Sequence, residues 1–205
     1  VVVAVGSPIP EGFDSVVALE NVHLLSSEEV ELSTPVVPWL NIKPVGEDVG
    51  VLDILLPRSR KVEPLDIGLM LQGGVEKVQV RSKPRVALLA VGSNLVPPGS
   101  TPEPGQTIEY NSHILQHLVQ EMGGEPRLMK IAPDRKEILK PMLKDLAKDN
   151  DLLLLIGDPR RGTELLAEAL AEIGEIVIYG VEVKPGQSVL LGIVEDTPLI
   201  GLPWY

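Results

Sequence analysis

Asp134 follows Pro133 and precedes a helical pattern, so a carboxylate stands at a strand-to-helix turn, where it can coordinate Mg²⁺ or orient a water. The same residue reads as a helix cap, because Glu137 lies three positions on at capping-box spacing. Arg160-Arg161 follows an apolar run, 152–156, and Gly157-Asp158-Pro159. Two guanidinium forks there suit an oxyanion held bidentately, or two solvated side chains on a loop. Asp158 is a metal-ligand candidate or, before Pro159, a turn residue. Lys184-Pro185-Gly186 offers a cation to an anionic ligand, or a turn between strands, and Asn111 suits either a phosphate contact or a helix cap. His113 and His117 have two-histidine metal spacing, but Ile114 occupies the place where a zinc protease carries Glu, and no metal is expected there.

These residues need elements to position them. Residues 86–90 are an apolar run that suits a parallel strand covered on both faces, and Gly92-Ser93-Asn94 ends it with a loop that a ligand can approach closely. Residues 152–156 end the same way, and ligands of open α/β sheets bind beyond the carboxyl ends of such strands. From Pro84 onward strands and helices alternate, which predicts a mostly parallel sheet. Helices are expected at 111–122, 136–148 and 163–173, and strands at 127–131, 152–156 and 175–179, with a hairpin from 188–194 and 198–200. Before this, residues 1–82 read as a small β-rich domain with strands at 1–5, 15–19, 22–25, 30–32, 49–56 and 75–80 and a helix at 64–74. Arg81-Ser82-Lys83-Pro84 is a charged hinge, and residues 83–205 form the α/β domain.

Composition narrows the function classes. At 205 residues and 44% hydrophobic content the chain buries a real core, and its 19 Pro and 19 Gly are scattered as turn formers. A net charge of −11 opposes binding of polyanions at large, so nucleic acid is not an expected partner, although a local site can still hold one small anion. The absence of cysteine excludes disulfides and thiolate chemistry. No apolar run reaches the length of a membrane span, no signal region opens the chain, and a cytoplasmic location is the expectation. The chain begins at Val1 and stops just after Gly201-Leu202-Pro203, as an excised fragment does.

Several segments together resemble the MoeA family of molybdopterin molybdenumtransferases, which includes the C-terminal domain of gephyrin. Gly6-Ser7-Pro8, with Pro10-Glu11-Gly12-Phe13-Asp14-Ser15-Val16-Val17, is similar to a Thr-Gly-Ala segment followed by Pro-Gly-Asp-Val-Val. Gly46-Glu47-Asp48 is similar to a second segment, and Gly92-Ser93-Asn94-Leu95 resembles a Thr-Gly-Asp-Glu-Leu loop. Gly105-Gln106 through Asn111, Asp134, Lys184-Pro185-Gly186 and Gly201-Leu202-Pro203 then follow in the family's order.

The resemblance implies a three-layer α/β/α molybdopterin-binding domain beside a β-rich domain, a homodimer, and two further domains that this chain lacks. It implies a small-molecule anionic ligand, adenylylated molybdopterin, with molybdenum inserted from molybdate and AMP released with help from Mg²⁺. Asp134, with Glu109 in place of a family Asp, would hold the metal, and Asp134 would be catalytic. Gly92, Ser93, Asn94, Asn111, Gly157, Asp158, Arg160, Arg161, Lys184, Pro185 and Gly186 would bind the ligand. The sequence departs from the family where Ser93-Asn94 replaces two acidic residues and where residues 156–163 replace a Ser-Gly-Gly-Val-Ser-Val-Gly loop. Those departures keep two rivals open: a carrier or sensor that binds molybdopterin without transferring molybdenum, and a scaffold.

Overall fold

A computed structural model describes residues 1–157 and 163–204, in two units, Val1–Val80 and Arg81–Tyr205. In the first unit a 3-10 turn, Leu19–Asn21, leads into a hairpin of β1 (Val22–Leu24) and β2 (Val30–Leu32), and α1 spans Pro64–Gln72. Proline opens α1, and Glu63 and Asp66 cap it reciprocally. Asp66 is buried, and the Arg60 guanidinium at 3.0 Å supplies the charge that a buried carboxylate needs.

Four expected strands of this unit do not form. Residues 49–56 turn instead, because the Asp53 carboxylate takes the Gly50 N–H at 2.7 Å and Leu52 adopts φ 71°. Residues 1–5 end in a turn in which Ser7 donates to the Ala4 carbonyl at 3.0 Å. Residues 15–19 are tied sideways by single bonds, such as Val16 N–H to Leu40 O at 2.9 Å, and 75–80 form no strand ladder among the described residues, Val75 N–H turning back to Met70 O at 2.8 Å. β-Branched runs become strands only where a partner supplies a ladder.

In the second unit the chain runs β3 (Arg85–Val91), β4 (Leu95–Val96), β5 (Thr107–Ile108), α2 (Asn111–Glu121), β6 (Glu125–Leu128) and α3 (Lys136–Asp149). It continues through β7 (Leu152–Gly157), α4 (Glu164–Ile173), β8 (Glu175–Tyr179), β9 (Leu190–Val194) and β10 (Thr197–Leu202). Six strands form one sheet in the order β6-β3-β7-β10-β9-β8, in which only β9 runs against the others. β6 lies two residues earlier than expected and contains Pro126, which an edge strand tolerates because its nitrogen can face outward.

Alternation along the central strands sorts the core into two layers. Ala87, Leu89, Leu153 and Leu155 face α3 and α4 through Leu139, Leu143, Leu166 and Leu170. Val86, Leu88 and Leu154 face α2 through Val119 and Leu115. Each fully buried leucine contributes ~1.5–3 kcal/mol, so runs that read as continuous apolar stretches hold the three layers together. Among the described residues no helix is long and apolar enough to cross a membrane.

At the edge of the sheet opposite the site, the Asp151 carboxylate accepts the Arg85 backbone N–H at 2.7 Å and the Arg85 Nε at 3.4 Å. That backbone bond, then the guanidinium, holds the carboxyl below its ordinary value of 3.8. A depressed value stabilises the fold above pH 3.8, where both states are ionised. The stabilisation is lost as pH falls through the folded value, because the unfolded chain takes up the proton first. Melting temperatures measured from pH 6 to pH 3 should therefore fall less steeply at the acid end in Asp151→Asn than in the parent chain. An unchanged acid slope refutes this contribution.

Candidate functional site at the carboxyl edge of the sheet

β3, β6, β7, β8 and β10 all end at one edge, so the loops that follow them collect there. From β3 the chain passes through α2 to β6 on one side, and from β7 through α4 to β8 on the other. β3 and β7 are adjacent, with Val91 level with Gly157. This is a topological switch point, the place where open α/β sheets bind ligands.

Gly92 is buried, its N–H donates to the Ala132 carbonyl at 2.9 Å, and its own carbonyl accepts the Leu95 N–H at 3.2 Å. Ser93 and Asn94 thus form the tip of a tight turn, and the Asn94 carbonyl accepts the Thr107 N–H at 2.9 Å, beside the β4–β5 pair. The Ser93 hydroxyl donates to Asp134 Oδ1, and the Asp134 N–H approaches Ser93 Oγ at 3.4 Å. The loops after β3 and β6 are stitched together by this pair. α3 begins after Arg135 with no side-chain cap, so the capping alternative for Asp134 is not what the structure contains. The carboxylate meets the Ser93 hydroxyl, in the loop after β3, instead of the first N–H groups of α3.

Two neighbouring residues are differently engaged. Glu109 is 2% exposed, and its two oxygens accept the Ser112 N–H at 2.9 Å and the Ser112 hydroxyl. It closes the first turn of α2, a role that the sequence signals only by the three-residue spacing to Ser112. Asn111 does not cap α2; its Nδ2 donates to the Trp204 carbonyl at 3.1 Å, while the rings of Tyr110 and Trp204 meet edge-on at 5.6 Å. The segment after β10 is thereby fastened over the start of α2. No sequence pattern pointed to that contact, since it joins residues 93 positions apart.

Lys184, Pro185 and Gly186 lie in the loop from β8 to β9, at the same edge. Gly180 N–H to Val189 O at 2.8 Å and Val181 N–H to Gln187 O at 2.9 Å close the loop, and Gly186 adopts φ 102°. Lys184 is exposed and pairs with no carboxylate among the described residues. The buried Thr163 hydroxyl donates to the Ser188 carbonyl, which fixes the start of α4 against this loop. Gly157 is buried at the end of β7, and Asp158, Arg160 and Arg161 lie outside the described residues.

Mg²⁺ takes one or two carboxylates together with phosphate and water oxygens. Asp134 fits that role; Glu109, buried and bound on both oxygens, does not. Among the described residues no three His, Asp or Glu side chains form a metal cluster, and His113 and His117 stand exposed on α2. A hollow of about 640 Å³ in the first unit is lined by valine, leucine and other residues without charged side chains. A second cavity, about 330 Å³, lies between the start of α2 and the segment after β6.

Comparison with known proteins agrees with this fold. A family model described as "Probable molybdopterin binding domain" matches residues 87–203, and one described as "MoeA N-terminal region (domain I and II)" matches residues 1–74. A molybdopterin molybdenumtransferase of Haemophilus influenzae is 26% identical over 97% of this chain and 49% of its own length. Gephyrin of Dictyostelium discoideum is 28% identical over 90% of this chain and 28% of its own length. The crystal structure of a molybdopterin biosynthesis MoeA protein from Pyrococcus horikosii superposes with TM-score 0.74 at 30% identity, covering 94% of this chain and 48% of that one. The chain therefore spans half or less of the length of these relatives.

Proposed function

Because the chain belongs to the molybdopterin-binding family, with a MoeA-type region before that domain, we propose that it serves molybdenum cofactor biosynthesis by binding adenylylated molybdopterin and inserting molybdenum from molybdate. The observation that carries this reading is the Ser93–Asp134 pair at the switch point between β3 and β7. A phosphoanhydride there meets the tip of the turn that follows Gly92, beside a carboxylate that caps no helix and is bonded to Ser93.

Asp134 holds a cation against the phosphates, and Ser93 fixes the orientation of that carboxylate by donating to one of its oxygens, leaving the other for the cation. Lys184, on the neighbouring loop, balances the charge of the anion or of molybdate. Mg²⁺, when bound, neutralises charge on the phosphoanhydride as it breaks. Arg160, Arg161, Asp158 and Gly157, at the end of β7, complete the ligand-binding set in this proposal, as does Asn111 through its hold on Trp204. We place the molecule in a homodimer on the same family grounds, and in the cytoplasm on the composition of the sequence.

One observation favours the second reading, a carrier that binds without transfer. Glu109 is engaged with Ser112, and Ser93-Asn94 supplies no carboxylate, so Asp134 acts alone among the acidic candidates of the described loops. The test is incubation with adenylylated molybdopterin, molybdate and Mg²⁺, followed by chromatography of the nucleotide. AMP released in step with molybdenum incorporation is the expected result. Ligand bound and recovered intact selects the carrier, and no binding at all removes both.

A further inference from the structure

His113 and His117 have no part in the function proposed above. Residues four apart share a face only where a helix forms, and α2 runs unbroken over both, from Asn111 to Glu121. Leu115 and Val119 pack that helix against the sheet. Each histidine precedes one of them by two residues, about 200° round a helix of 3.6 residues per turn. Both rings therefore stand on the face turned away from the core, and both are exposed. Ile114 excludes the zinc-protease arrangement, but a site that only binds an ion needs no glutamate there.

A histidine in a fold is commonly accounted for by a buried hydrogen bond or an ion pair. Neither account applies here, since neither side chain has a hydrogen bond, ion pair or ring contact among the described residues. Both rings can turn a nitrogen to a common point, because Cβ atoms at this spacing lie about 5–6 Å apart. α2 contains no Lys or Arg, and Glu121 stands one turn beyond His117, so the helix itself contributes only negative charge. Lys130 shares a cavity lining with His113 but not with His117. The net charge of −11 adds a field that draws cations to the surface.

We infer that His113 and His117 form a two-nitrogen site for a divalent transition-metal ion of the Cu²⁺, Ni²⁺ or Zn²⁺ class, with water in the remaining coordination positions. The donor type selects that class, because Mg²⁺ takes oxygen ligands whereas imidazole nitrogen suits the later first-row ions. No thiolate competes, as the chain has no cysteine, and the third histidine, His23, stands by itself on β1. A two-residue site also accords with the lack of any three-residue cluster among the described residues. The inference is independent of the function proposed above and of the Mg²⁺ given there to Asp134.

The test titrates Cu²⁺ and Zn²⁺ into the metal-free chain of residues 1–205 by calorimetry, with excess Mg²⁺ present to occupy the carboxylates. One ion should bind per chain, Cu²⁺ more tightly than Zn²⁺. His113→Gln and His117→Gln should each weaken Cu²⁺ binding at least about tenfold, since even the loss of a group that only orients a ligand costs 10–100-fold. His23→Gln should change nothing. A thermal melt checks the fold of each variant. If one does not fold, the electron paramagnetic resonance spectrum of Cu²⁺ on the unaltered chain decides the question, with two imidazole nitrogens on the ion as the expected result. One nitrogen or none overturns the site. So do unchanged affinity in either folded variant, an equal loss in His23→Gln, and the binding of neither ion.

Discussion

Asp134→Asn should lower AMP release from adenylylated molybdopterin about 100-fold or more while leaving the melting temperature unchanged within about 1 °C. The substitution is nearly isosteric, and it keeps the atom that matters to the fold: an amide oxygen can still accept the Ser93 hydroxyl at the junction of the loops after β3 and β6. It removes the negative charge, and with it the one of the two metal-ligand candidates, Asp134 and Glu109, that is neither buried nor bound on both oxygens. α3 loses no cap, because none comes from this side chain. The cost should therefore fall on cation-dependent chemistry and not on stability. Restoration of turnover by raised Mg²⁺ would indicate that the residue acts through cation affinity, and turnover equal to the parent chain would remove Asp134 from the reaction. Ser93→Ala is the natural companion, since it frees the carboxylate to rotate while keeping its charge; its effect should be smaller than that of Asp134→Asn.

What could be read from residues alone follows the range of the forces involved. The strands at 86–90 and 152–156 were legible because five consecutive apolar residues at each leave no solvent face. The helices from residue 111 onward were legible because their apolar positions repeat at three-to-four spacing. Strands of residues 1–80 were overread, since Val and Leu density reports strand propensity and not the presence of a partner. In the site, Asp134 was visible as a candidate, but that it bonds to Ser93, 41 residues away, and does not cap α3 was not. Glu109 was read as a metal ligand, although Ser112 three positions on was the signal for a local hydrogen bond. Local chemistry decided that case and long-range packing the other.

The same edge also explains why loops so distant in sequence can share a ligand. Parallel strands bring the residues after β3, β6, β7 and β8 to one level, and side-chain bonds then hold neighbouring loops in pairs: Ser93 with Asp134, Thr163 with Ser188, and Asn111 with Trp204. Each pair joins elements that the sheet alone would leave separately mobile. Positioning is shared among several modest bonds, so removal of one should loosen a loop without unfolding the sheet.

The opposite behaviour is expected of Gly174→Ala. Gly174 ends α4, its N–H donating to Leu170 O at 2.9 Å, and it leads directly into β8. A Cβ at this position would lie 2.1 Å from the Ile193 carbonyl oxygen and 2.9 Å from Leu170 Cδ1. The first of these contacts is with backbone and has no rotamer by which to yield. Relief requires β8 to move away from β9 at the Glu175–Ile193 pairing, at the edge of the sheet, and to disturb the fully buried Leu170 at the same time. Overpacking of this kind costs about 3 kcal/mol, or a fall in melting temperature of roughly 10 °C for a domain of this size. Gly68→Ala in the interior of α1 meets nothing within 4 Å and should instead gain about 0.5–1 kcal/mol from helix propensity. Because β8 carries the chain into the Lys184 loop, Gly174→Ala should weaken anion binding together with stability, whereas Asp134→Asn separates the two. A melting temperature within 2 °C of the parent would mean that β8 and β9 part without cost at this point, and that the Lys184 loop is positioned by its own closing bonds at Gly180 and Val181.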